Sequence, residues 1–259
     1  TGDNNIAIGT SAGDALTSGN LNIFMGKNAG GGSTTDVNNI LIGHDAGSGA
    51  WTGSPSSQNT VVGDGAMKGA MNGALYNSAF GAYTLYSVTT GDSNTSLGHG
   101  SGYLISTGVQ NTLIGRNAGD AMSTTSNTVL IGMDAGTAIN SADADGTVAI
   151  GTRAGAALTT HANVAGTVAV GREAGTAIVD SQGTTAIGQY ALYTVANTHY
   201  NTAVGSQAGQ NTTGAENTYV GRKAGFGATG AESYNTGIGS DALSSIVDAQ
   251  DNVAVGRKA

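Results

Sequence analysis

Asn111-Thr112-Leu113-Ile114-Gly115 and Asn201-Thr202-Ala203-Val204-Gly205 are two copies of one pattern: an amide, a hydroxyl-bearing or β-branched residue, a variable residue, an aliphatic residue and a glycine. Working outward from them, the marker glycine recurs at Gly9, Gly26, Gly43, Gly63, Gly81, Gly98, Gly115, Gly132, Gly151, Gly171, Gly188, Gly205, Gly221, Gly239 and Gly256, at intervals of 16 to 20 residues. A period this short means that each copy is one supersecondary unit, unable to fold alone and stabilised by stacking on its neighbours.

Aligned on the glycine, the preceding residue is apolar in all fifteen copies: Ile8, Met25, Ile42, Val62, Phe80, Leu97, Ile114, Ile131, Ile150, Val170, Ile187, Val204, Val220, Ile238 and Val255. Two residues earlier stands Thr, Val or Ile, with Ser78 the exception. β-Branching and a period of two predict a strand whose face, carrying positions −3 and −1, is the core. Position −4 is Asn in eleven copies and Thr in four; Asn22, Asn39, Asn94, Asn111 and Asn217 are expected in an amide ladder running from copy to copy. After the glycine, Ala at +3 and usually Gly at +4 predict a tight corner, with Gly9, Gly26, Gly43, Gly115, Gly132, Gly151, Gly171 and Gly205 as turn residues. A second apolar column at +7, including Leu16, Ile105, Met122, Ile139, Leu158, Ile178, Val195 and Ile246, predicts a second, shorter strand. The expected fold is an all-β parallel solenoid over residues 1–259, about fifteen coils of ~17 residues with two short strands each. Both ends start and stop inside a repeat, so the domain is expected to be uncapped and part of a longer fibre.

Composition narrows the alternatives. Three Phe and one Trp among 259 residues, with 44 Gly, allow only a thin core of small side chains. One Pro and no three-residue period exclude collagen, while regular apolar spacing and 10% charged residues argue against disorder. No Cys is present, so neither disulfides nor thiolate metal sites hold the fold. A formal net charge of −8 disfavours non-specific nucleic-acid binding, and no apolar run approaches the length of a membrane span.

The stretches Val148-Ala149-Ile150-Gly151-Thr152-Arg153-Ala154 and Val168-Ala169-Val170-Gly171-Arg172-Glu173-Ala174 resemble the head repeats of trimeric autotransporter adhesins. The form at Asn201 to Gly205, with Ala191-Leu192 and Ala242-Leu243 after the marker, is similar to repeats of phage tail-fibre and bacterial surface proteins. The resemblance implies a left-handed β-roll, three chains to a trimer, and an extracellular structural role.

Candidate sites are few. Eight of nine basic residues, Lys27, Arg116, Arg153, Arg172, Arg222, Lys223, Arg257 and Lys258, lie one or two places after the marker, whereas acids such as Asp14, Asp36, Asp92, Asp120, Asp143, Asp145, Asp180, Glu216, Glu232 and Asp248 lie in the variable segment. That distribution predicts two edges of opposite sign. Asn94-Thr95-Ser96 and Asn211-Thr212-Thr213 match the N-glycosylation pattern. His44, His99, His161 and His199 lack zinc spacing, and Asp143 with Asp145 lacks the calcium-binding nonapeptide. Tyr76, Tyr83, Tyr86, Tyr190, Tyr193 and Tyr200 fall in clusters suited to stacking on sugars or between copies. No cofactor, metal or catalytic motif stands out, so the expected role is a fibre or filament shaft of self-associating chains, in a phage tail or on a bacterial surface. The runner-up is a carbohydrate-binding adhesin. A glycan-degrading fibre and an ice-binding protein are lesser alternatives. The last needs an exposed Thr-x-Thr array, and Thr60, Thr95, Thr112, Thr185, Thr202, Thr218 and Thr236 belong to the face expected to be buried.

Overall fold

A computed structural model describes residues 2–51, 53–140, 144–158, 165–178, 181–194, 199–227 and 232–259. Two compact units, Thr1–Asn127 and Thr128–Ala259, are each a parallel β-solenoid. In the first, β1 (Ile6–Ile8), β2 (Ile23–Met25), β3 (Ile40–Ile42), β4 (Thr60–Val62), β5 (Ser78–Phe80), β6 (Thr95–Leu97) and β7 (Thr112–Ile114) pair in sequence order. In the second, β8 (Val129–Ile131), β9 (Val148–Ile150), β10 (Val168–Val170), β11 (Thr185–Ile187), β12 (Thr202–Val204), β13 (Thr218–Val220), β14 (Thr236–Ile238) and β15 (Val253–Val255) do the same. Every pair is parallel and in register, so equivalent residues stack: Leu41 on Phe24, Val61 on Leu41. No α-helix occurs among the described residues.

Among the described residues each coil contributes one strand, not the expected two. The +7 side chains Ile105, Met122, Ile139, Leu158 and Ile178 are buried, but their backbone lies outside any strand among the described residues. Hydrogen bonding there converges instead of laddering: the N–H groups of Thr89, Thr90 and Gly91 all donate to the Ser106 carbonyl, at 2.9, 3.1 and 3.1 Å. A ladder needs its bonds spread evenly along both chains.

The larger correction concerns which face is inside. In β2 to β14 the middle residue of the strand is buried and the two flanking ones are not. Phe24, Leu41, Val61, Leu113, Leu130 and Tyr219 are fully inaccessible. Of the column expected as core, Ile42, Ile114, Ile131, Ile150, Val170 and Val204 are only half-buried, while Ile8, Ile187, Val220, Ile238 and Val255 are exposed. Because side chains alternate across a strand, choosing the wrong parity moves the whole set to the opposite face. The half-burial of the outer column comes from stacking of each side chain on its equivalents in the coils before and after, which makes it look like a core in sequence.

Inside, bulk is shared among positions −2, +4 and +7. Where −2 is large, +4 is Gly: a Cβ on Gly30 would sit 2.8 Å from the Phe24 ring, and one on Gly225 2.5 Å from the Tyr219 ring. Where −2 is smaller, +4 grows, pairing Val61 with Met67, Ala79 with Leu85, Ala186 with Leu192 and Gly237 with Leu243. Where both are small, +7 fills the space, as Leu158 does beside Ala149 and Gly155, and Ile178 beside Ala169 and Gly175. A close-packed interior tolerates neither the void nor the clash that any other combination gives.

Two devices hold successive coils together. The Oδ1 of Asn94 accepts both the backbone N–H and the Nδ2–H of Asn111, at 3.1 and 2.9 Å, and the Asn94 Nδ2 donates to Asn77 Oδ1 and to the Gly108 carbonyl, at 3.1 and 2.9 Å. The same column runs through Asn22, Asn39, Asn59 and Asn77, and in the second unit through Asn201, Asn217, Asn235 and Asn252. Buried amides satisfied in this way stabilise the stack, whereas unsatisfied ones would oppose it. The marker glycines, Gly115 included, have φ between 130° and 152°. A Cβ on Gly9, Gly26, Gly43, Gly132, Gly151, Gly171 or Gly205 would lie 2.4 to 2.6 Å from the carbonyl group of the next marker glycine. Only glycine fits both restrictions.

Candidate functional site

The inversion of the strand leaves an unusual surface. Positions −3 and −1 point outward in seven rows of the first unit and eight of the second, and 22 of these 30 residues are Ile, Val, Leu, Met or Phe. None is charged. Ile8, Met25, Phe80, Leu97, Ile187 and Ile238 are among the exposed large apolar side chains. The threonines expected to be buried, Thr60, Thr95, Thr112, Thr185, Thr202, Thr218 and Thr236, also face outward and none is buried. Length variation between coils falls away from this face, in the segments between +7 and the Asn column, so the rows keep one register. With rows about 4.8 Å apart and three residues spanning roughly 10 Å, the face covers roughly 340 Å² on the first unit and roughly 380 Å² on the second. Apolar patches of that size, rimmed by polar residues, mark interaction surfaces.

The corner beside this face carries the charge. Some of its basic residues meet carboxylates of the same corner: Arg222 Nη2 lies 2.8 Å from Asp241 Oδ2, and Arg172 Nη1 3.5 Å from Glu173 Oε1. Part of the basic edge is thus neutralised locally, while most acids stay in the variable segment. Acids at +1 and +2, namely Asp45, Asp64, Asp134, Glu173 and Asp241, sit in the same columns as the bases. In the first unit, Lys68 Nζ donates to Asp45 Oδ2 at 2.7 Å and His44 Nδ1 lies 2.7 Å from Asp64 Oδ1. The hydrogen bonds from Lys68 and then Asn28 hold the Asp45 carboxyl below the ordinary carboxylate range, and Asp45 in turn raises Lys68. Hydrogen bonds from His44 and then Tyr83 lower Asp64.

Of the glycosylation sequences, Asn94 is fully buried in the amide column with both N–H bonds committed, so it is not an acceptor in the folded chain. Asn211 donates its amide to the Phe226 carbonyl at 3.1 Å and is partly buried. His161, Asp143, Asp180 and Val195 lie outside the described residues. His99 packs edge-on against Tyr83, and His199 lies beside Tyr200. Among the described residues no three His, Cys, Asp or Glu gather to hold a metal ion, and no helix is long and apolar enough to cross a membrane.

Sequence reasoning missed the outward apolar face, although a signal was present. A buried Asn at −4 and the residue at −2 share one face of the strand, so an internal amide ladder forces −3 and −1 outward. No protein-family model matches the chain, and no curated protein matches it in sequence.

Proposed function

We propose that the chain is a structural element of an extracellular fibre, a phage tail fibre or bacterial surface filament, in which copies of this chain pack side by side through their outward sheet faces. The observation that carries the reading is the uncharged apolar surface at −3 and −1. Rows of near-identical side chains at constant spacing match the rows of a second copy without stagger, and hydrophobic burial at each row supplies the stabilisation. Three chains around a common axis, each wound left-handed as in the adhesin heads that the repeats resemble, are the arrangement we favour.

Light scattering tests this on the intact chain of 25.3 kDa. Association near three times that mass is expected, and Ile150→Asp, on the outer face, is expected to abolish it while leaving the circular dichroism of the coil unchanged. Arg153→Asp, at the corner, should associate normally. A wild-type monomer at every concentration overturns the proposal. One observation favours a second reading, ice binding: Thr185, Thr202, Thr218 and Thr236 stand outward in four successive paired strands. Against it, no strand carries Thr at both outward positions. A monomer that lowers the freezing point without lowering the melting point would establish it.

A further inference from the structure

The corner columns of the first unit hold a group of aromatic side chains that the fibre reading does not use. Tyr83 and Tyr86 stand at +2 and +5 after Gly81, and Tyr103 at +5 after Gly98. Tyr86 and Tyr103 are stacked, with centroids 4.8 Å apart and planes 8° from parallel. Tyr83 lies 6.1 Å from Tyr86 and 5.7 Å from His99, the latter edge-on. Gly65 in the preceding coil gives Tyr83 its seat: a Cβ there would approach the ring to 3.0 Å. The Asp64 carboxylate interacts with Tyr83 and meets His44 at 2.7 Å. The rings are therefore fixed in place, yet Tyr83 is 39% and Tyr103 37% exposed.

The second unit repeats the local sequence. Gly188-Gln189-Tyr190-Ala191-Leu192-Tyr193 corresponds to Gly81-Ala82-Tyr83-Thr84-Leu85-Tyr86. There the Arg172 guanidinium sits 4.6 Å above the Tyr190 ring and covers it. At the equivalent place in the first unit stands Asp64, too short to cap a ring and held by His44 at 2.7 Å. Nor is the second pair extended by a ring in the next coil, since Gln210 stands at the place of Tyr103. One pair is closed by a cation; the other is left open, extended by a third ring and bordered by hydrogen-bonding groups.

We propose that Tyr83, Tyr86 and Tyr103, with Asp64 and His99 at their margin, form a binding shelf for a neutral glycan. The C–H face of a pyranose suits an exposed, rigid aromatic ring, which buries apolar area at little entropic cost. Sugar hydroxyls donate to the Asp64 carboxylate and His99, the kind of placed polar group that fixes orientation. The nearby carboxylates Asp45 and Asp64 and the chain's net charge of −8 disfavour anionic sugars. The shelf lies at +2 and +5, off the outward sheet face, so it stands or falls independently of self-association.

The test is a glycan array probed with the intact chain, followed by calorimetric titration of the best neutral oligosaccharide. Tyr103→Ala is expected to weaken binding about tenfold, as loss of one aromatic contact of ~1.4 kcal/mol would give. Tyr103→Phe should keep wild-type affinity, and Tyr190→Ala, at the capped pair, should leave binding unchanged. Retention of no neutral glycan overturns the proposal. So does equal binding by Tyr103→Ala and wild type, or a loss in Tyr190→Ala as large as that in Tyr103→Ala.

Discussion

Leu41 and Ile42 are neighbours in β3, and truncating each to alanine separates the two faces of the strand. Leu41 is fully inaccessible, with its Cδ1 2.8 Å from where a Cβ on Gly47 would lie, so it fills the space beside that glycine. Leu41→Ala is expected to cost about 2 to 5 kcal/mol, the transfer of the lost methyl groups plus the cavity left behind. Ile42 is half-buried and touches its outer-column equivalents Met25 and Val62 from the side. Its truncation should cost about 1 kcal/mol in a dilute, unassociated chain, since only part of its ~1.5 to 3 kcal/mol burial is in place. Global melting is a poor assay because stability in stacked repeats is partly local. Hydrogen exchange of the Ile40 and Gly43 amides, which donate to the Asn59 and Met25 carbonyls at 2.9 and 2.8 Å, reads the coil itself. Protection there should fall roughly 30-fold or more in Leu41→Ala and about fivefold in Ile42→Ala. A larger loss in Ile42→Ala would refute the assignment of inner and outer faces.

Two further outcomes follow from the hydrogen bonds. Asn94→Ala leaves the Asn111 amides and the Gly108 carbonyl buried without their partner, so a loss of about 3 kcal/mol in local protection is expected; Asn94→Thr, the residue that four other coils use, should be milder. The Lys68 to Asp45 bond gives a pH signature. A lowered Asp45 stabilises above its unfolded value of about 3.9 and loses this as pH falls, whereas a raised Lys68 stabilises below about 10.4 and loses this as pH rises. The stability difference between wild type and Lys68→Met should therefore be about 0.5 kcal/mol between those limits, screened by salt, and vanish outside them. A difference independent of pH in chemical denaturation would show that the ion pair contributes nothing.

The sequence by itself determined the period, the parallel stacking and the places of strand and corner, because each rests on local chemistry. Gly115 and its equivalents need a φ that other residues avoid, β-branched residues favour extended backbone, and Asn columns repeat wherever amides hydrogen-bond to their copies. What only the tertiary structure decided was the side of the strand that faces inward. Ile42 and Leu41 are both aliphatic, so hydrophobicity did not discriminate between them, and the uniform column was the one that stacks on the surface. Inside, one cramped space is divided among −2, +4 and +7, and its occupant changes from Phe24 to Met67 to Leu158, which hides the core column from any position-by-position reading. The shelf at Tyr83, Tyr86 and Tyr103 was visible as a cluster of tyrosines. That one pair stays open while Arg172 caps the other depended on side chains brought together from successive coils.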